Sequence, residues 1–112
     1  MTVYKQAMRG VPVTLQEDAT TGNGIAIAIP SSFKHHSVII KGSAGVSAGA
    51  IQPETADSPA YAGTWNPLGG GPITVVASSE IEYNFEGEYT AFRARISTTV
   101  ADGTVTVIYK GA

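Results

Sequence analysis

The last third of the chain, Ile81 to Tyr109, alternates apolar and polar residues at period two through three consecutive segments. Ile81, Tyr83 and Phe85 share one side of the first, Phe92, Ala94 and Ile96 one side of the second, and Val105, Val107 and Tyr109 one side of the third. Successive side chains of a strand point to opposite faces, so this pattern predicts a sheet with one face buried and one wet. Gly87 interrupts the alternation and predicts a bulge or a tight bend. Asp102-Gly103 predicts a hairpin turn between the last two strands.

Shorter segments of the same kind lie upstream. Val11, Val13 and Leu15 alternate, with Pro12 pointing to an edge or a strand start. Glu17 to Gly24 is a turn-rich loop, and Ile25, Ile27 and Ile29 then alternate with alanines until Pro30 stops the strand. Ser31 to His36 is expected to be loop, and Ser37 to Lys41 a β-branched core strand. Gly42 to Ala50 suits either a flat strand or a flexible connection. Ile51 to Thr55 is expected to pair in a sheet, and Ala56 to Gly63 to be loop. Trp65 and Leu68 mark a short strand or core plug before the breaker Gly69-Gly70-Gly71-Pro72, and Ile73 to Ala77 has strand composition. No long segment has the i, i+3, i+4, i+7 apolar spacing of a helix. The expected fold is therefore all-β: a two-layer antiparallel β-sandwich or jelly roll of about eight short strands, with little or no helix. Residues 1–10, only weakly periodic, form an N-terminal arm or edge strand, and residues 11–112 a single sandwich domain.

Composition changes this picture in one respect. The 112 residues suit a single core, but only 14% are charged, against roughly a quarter in an ordinary domain. Much of the wet surface must then be Ala, Gly, Ser and Thr, which is cheap to desolvate, and this points to burial against a partner. Net charge is −2 and the seven Lys and Arg are scattered from Lys5 to Lys110, so the basic stripe that nucleic acid requires is missing. No apolar run approaches the roughly 18 residues of a membrane span. The N-terminus, MTVYKQAMRG, lacks an apolar h-region, and no signal peptide is expected. With no cysteine, stability must come from packing, as suits a protein made in a cytoplasm.

Few residues offer chemistry. His35 and His36 are adjacent, would face opposite ways on a strand, and are expected to be solvated in a loop. Glu80, Glu82, Glu86 and Glu88 share a face with Asn84. That face is a solvated surface, a strip that docks on a basic neighbour, or a calcium site, the last weakened by the break at Gly87. Arg93 and Arg95 project together, to pair with those glutamates across strands or to reach a partner subunit. Trp65 fits a core plug better than a sugar-stacking platform, since Tyr61 is the only aromatic near it in sequence. Glu54 and Asp57 form a loop acid pair with no reason for a raised pKa. The glycine run at 69–71 lacks the Lys-Ser/Thr of a phosphate loop. No nucleophile–base pair or metal-ligand cluster stands out, so no catalytic, metal or cofactor role is expected and an enzyme is the least expected reading.

Two stretches, GAIQPETADSPAYAGTWNPLG (Gly49 to Gly69) and FEGEYTAFRARISTTVADGTVTVIYKG (Phe85 to Gly111), resemble small virion proteins of tailed phages. The Gly-x-Tyr-x-Ala-x-Arg-x-Arg-Ile core and the terminal Gly-Thr-Val-Thr-Val carry the likeness, which spans roughly residues 24 to 111. It implies a β-sandwich on the outer surface of a virion, most like a capsid decoration, cement or staple protein. Such proteins bind the assembled shell in many copies, as dimers or trimers, and clamp neighbouring subunits of the major capsid protein. Some lend a terminal arm to the contact; here that arm is Met1 to Gly10, with Tyr4, Met8 and Arg9 as anchors. Glu82, Glu86, Arg93 and Arg95 complete the candidate partner-binding residues. Other virion parts (a head-fibre base, a neck or a tail component) and a carbohydrate- or receptor-binding sandwich are the alternatives.

Overall fold

The computed structural model describes residues 4–112, and Met1 to Val3 of the N-terminal segment lie outside it. Ten strands follow one another: β1 (Lys5–Gln6), β2 (Val13–Ala19), β3 (Ile27–Ala28), β4 (His35–Gly42), β5 (Ala48–Ala56), β6 (Asn66–Pro67), β7 (Ile73–Thr74), β8 (Ser79–Glu86), β9 (Ala91–Ala101) and β10 (Val105–Gly111). No helix occurs among the described residues. A four-stranded sheet has the order β2-β10-β4-β8, and a six-stranded sheet the order β1-β3-β9-β5-β6 with β7 also on β5. All pairings are antiparallel except β1 with β3. This is the all-β sandwich that the alternation predicts.

From β2 onward the chain passes back and forth between the sheets, an order compatible with a jelly roll. The three C-terminal segments consequently do not form one sheet. β8 and β10 both flank β4, whereas β9 lies in the opposite layer between β3 and β5. The Asp102-Gly103 turn is therefore a corner between sheets and not a hairpin. Asp102 has φ 62, and the left-handed backbone that Asp-Gly tolerates serves a corner as well as a hairpin. Period two fixes which face a side chain takes, but it is silent on the neighbouring strand. Gly87, at φ 130, is the tight bend that turns β8 into β9.

Between the layers, Val13 and Leu15 of β2, Val38 and Ile40 of β4 and Val105, Val107 and Tyr109 of β10 meet Ile27 of β3, Ile51 of β5 and Phe92, Ala94 and Ile96 of β9. Several predicted boundaries move. β4 begins at His35, because His35 and Ala112 exchange backbone hydrogen bonds of 2.9 and 3.0 Å and extend the sheet past the expected loop. β7 is only Ile73–Thr74, and Val76 beyond it is exposed. β2 runs on to Ala19, and Ile25 is exposed, leaving Ile27–Ala28 as β3. The reason lies in residues 20–25, which cross the open side of the sandwich. Val100 N–H donates to Thr20 O at 2.9 Å and Ile96 N–H to Gly22 O at 2.9 Å. Buried Gln16 secures the crossing, donating from Nε2 to Gly22 O at 3.1 Å and to Ala94 O at 2.9 Å.

Gly24 closes that crossing at φ +70, where an added Cβ would lie 2.5 Å from the Leu15 carbonyl oxygen. Both the backbone conformation and the space exclude a side chain. Gly24→Ala is expected to destabilise the fold by about 1–3 kcal/mol. Urea unfolding checks this: the midpoint should fall while the slope stays unchanged.

Candidate functional site

Two outer faces and one buried cluster carry the polar residues singled out by the sequence. On the six-stranded sheet, β5 pairs with β9 so that Glu54 stands opposite Arg93 and Gln52 opposite Arg95. Ile51 and Ile96, one on each strand, point into the core, which puts Glu54, Arg93 and Arg95 together on the outer side. Arg93 Nε lies 2.8 Å from Glu54 Oε1 and Arg95 Nε 3.0 Å from Glu54 Oε2. Glu54 is a buried strand residue, not half of a loop acid pair; one carboxylate there satisfies two guanidinium groups.

Residues 57–72 fold over this face and seat Trp65 on Ala56 and Ala91 in a small second core. The indole Nε1–H donates to Tyr61 O at 3.0 Å, and the Arg93 guanidinium carbon sits 4.5 Å from the centre of the indole ring. Arg93 and Arg95 thus project together as predicted, but their partner is Glu54. The glutamates of β8 belong to the other sheet and cannot reach them. Trp65 is only 2% exposed, which removes it as a stacking platform for a sugar; Tyr61 stands alone in solvent.

On the four-stranded sheet, Glu80, Glu82, Asn84 and Glu86 line the outer side of the edge strand β8, all exposed, and Glu88 follows after the bend. Lys41 lies 3.4 Å from Glu80, His35 3.4 Å from Glu86 and Lys34 3.7 Å from Glu88. Solvent weakens such exposed pairs to little net stability. Glu82 has only the Ser37 hydroxyl, donating at 3.5 Å. Among the described residues, no group of three or more His, Asp or Glu is placed to hold a metal ion.

The N-terminal candidates Tyr4, Met8 and Arg9 sit at a third location. β1 pairs in parallel with β3, Ala7 N–H donates to Ala28 O at 2.9 Å and Gly10 N–H to Gly111 O at 2.9 Å. Ala7 is buried, while Tyr4 and Met8 face solvent at 38% and 64% exposure. Arg9 is also exposed, its guanidinium carbon 5.3 Å from the centre of the Phe33 ring.

His36, expected in a solvated loop, is buried on the inner face of β4. Its Nε2–H donates to Gly87 O at 2.9 Å, leaving Nδ1 to accept from the Tyr109 hydroxyl at 2.6 Å. Phe85 stacks on the imidazole at 4.6 Å and the edge of Tyr89 closes it at 5.8 Å. Burial holds the imidazole below its ordinary pKa of 6.5; the Gly87 carbonyl opposes this and nearby His35 adds to it. Burial also pushes the Tyr109 phenol up to about 12. The signal for His36 was present, since His36, Val38 and Ile40 continue one alternation into the segment assigned to loop.

Two outcomes follow from these geometries. Removing the buried carboxylate leaves two guanidinium groups facing each other, so Glu54→Ala should cost about 2–4 kcal/mol, whereas Glu82→Ala should stay within about 0.5 kcal/mol in the same denaturant titration. For His36, the folded state resists protonation more than the unfolded chain, so its contribution is complete above about pH 6.5 and declines as pH falls below that value. His36→Gln keeps an acceptor for Tyr109, and its unfolding free energy should change less than that of the native chain between about pH 7.5 and about pH 5.5.

No protein-family model and no curated protein matches the sequence. Among solved structures, the fold is similar to that in the crystal structure of the SPBc2 prophage-derived protein YomS, with a TM-score of 0.68 at 16% sequence identity. The superposition covers 91% of this chain and 92% of that one, so the likeness takes in both layers of the sandwich and is a likeness of fold.

Proposed function

We propose that the chain is a structural protein of a phage virion that binds the outer surface of the assembled capsid in many copies and clamps neighbouring major-capsid subunits. The observation that carries this reading is a fold shared along nearly its whole length with a prophage-derived protein. The likeness of the Gly49–Gly69 and Phe85–Gly111 stretches to phage virion proteins points the same way. The chemistry of the surface agrees with adhesion. Only 14% of the residues are charged, so much of the exterior is released from water at small cost when a partner covers it.

A shell under internal pressure fails at the seams between its capsomers. A rigid sandwich spanning a seam adds buried area there, and repetition over the shell turns a modest contact into strong reinforcement. Because the protein binds only the assembled shell, its binding free energy stabilises that assembly by mass action. Tyr4, Met8 and Arg9, which flank β1, are the proposed anchors on the major capsid protein, and the copies act there as dimers or trimers. Neither a reaction nor a cofactor is part of this role.

Purified particles lacking the chain should release their genome at a lower temperature than complete ones, and added protein should restore the difference in a saturable manner. The double variant Tyr4→Ala, Met8→Ala should bind such particles roughly tenfold more weakly while unfolding at the same temperature. Particles of equal stability with and without the chain would refute the clamp.

A further inference from the structure

Among the described residues, the backbone leaves one long strand edge without partners. β8 is last in its sheet and is bonded to β4 alone. On β4, His35 exchanges both of its backbone hydrogen bonds with Ala112, so His35 and its alternate neighbours address β10. His36, Val38 and Ile40 then address β8, where they meet Phe85, Tyr83 and Ile81. Gly87 N–H, donating to Lys34 O at 2.9 Å, keeps the same phase. The N–H and C=O groups of Glu80, Glu82, Asn84 and Glu86 therefore point away from the sheet, and no backbone group among the described residues meets them.

The other edges are protected. β1, β6 and β7 are two residues each, and β2 carries register shifts against β10 and is bridged by Ile25, which donates to Leu15 O at 2.9 Å. β8, by contrast, runs eight residues in unbroken register. Its inward side chains Ile81, Tyr83 and Phe85 are half-buried against the core, and the Tyr83 hydroxyl donates to Gly69 O. Its outer row has a surplus of negative charge: among the described residues, the permanent cations paired with Glu80, Glu82, Glu86 and Glu88 are Lys41, on Glu80, and Lys34, on Glu88. A second copy pairing antiparallel along this edge would set glutamates of the two chains against each other, which disfavours self-association.

We propose that β8 is a docking edge for an extended segment of a partner protein in which apolar and basic residues alternate, added as a fifth strand to the four-stranded sheet. Main-chain bonds to Glu80, Glu82, Asn84 and Glu86 hold the segment. Its basic side chains lie along the glutamate row, with Glu82 at the centre, and its apolar ones cover Ile81, Tyr83 and Phe85. The proposal does not depend on the virion reading.

The test is an NMR titration of the isotope-labelled full chain with a peptide of about ten residues alternating Val and Lys, beside a control in which Glu replaces Lys. The lysine peptide should shift the amides of Glu80, Glu82, Asn84 and Glu86 and slow their hydrogen exchange, and the glutamate peptide should do neither. Glu82→Lys should weaken binding roughly tenfold, and so should Asn84→Pro, which removes an outward N–H while sparing the bonds to β4. If Asn84→Pro does not fold, Glu82→Lys still decides the matter. Equal binding of both peptides, shifts confined to another surface, no binding, or edge amides already protected by a concentration-dependent dimer would each overturn the proposal.

Discussion

The two sheets of this protein are held chiefly by the side chains between them, with backbone bonds from residues 20–25 closing the open side, and at one end the side-chain contact is a stack of rings. Phe92 enters from the six-stranded layer between two rings of the other, 5.2 Å from Phe85 and 5.6 Å from Tyr109. His36 stacks on Phe85 at 4.6 Å. With no cysteine to cross-link the layers, this interdigitation sets their spacing and the positions of β8, β9 and β10. The corners at Gly87 and at Asp102-Gly103 exist because successive strands must reach opposite sides of the stack. Even the polar groups obey it: the imidazole is accepted into the stack because the Gly87 carbonyl and the Tyr109 hydroxyl occupy both of its nitrogens.

How much of this is legible in the sequence follows from what alternation encodes. The inward positions Phe92, Ala94, Ile96, Val105, Val107 and Tyr109 are all in the core, because the side-chain period is a local property of a strand. The assignment of strands to sheets is not local. Nothing in residues 81–109 distinguishes a three-stranded meander from three strands divided between two layers, and only the folded packing decides. Glu54 went unrecognised for a similar reason. Ile51 to Thr55 is read as a strand, but Glu54 is taken together with Asp57 as an acid pair, and the alternation of Gln52, Glu54 and Ala56 with Ile51, Pro53 and Thr55 does not show what covers the outer side. The shared side of Arg93 and Arg95 was readable, while their carboxylate lies about forty residues away in the chain and is brought near by the β5–β9 register.

The folded chain is consequently asymmetric on its outside. One layer is sealed by residues 57–72, with Trp65, Arg93 and Glu54 locked beneath or within the cover. The other is bare and ends in a long, acidic edge. A clamp needs such a division between a rigid body and surfaces free to meet something else. Conformational entropy is already spent in the sealed half, so contacts made by the open half and by Tyr4, Met8 and Arg9 need not order the scaffold as well.

The central claim is that this scaffold works by adhesion to an assembled shell, and its location and copy number in a purified particle test that most directly. Quantitative mass spectrometry together with an averaged image of the particle should place hundreds of copies on the outer capsid surface, seated at the seams between major-capsid subunits. A handful of copies confined to a neck or tail, or a chain absent from the particle altogether, would contradict the account.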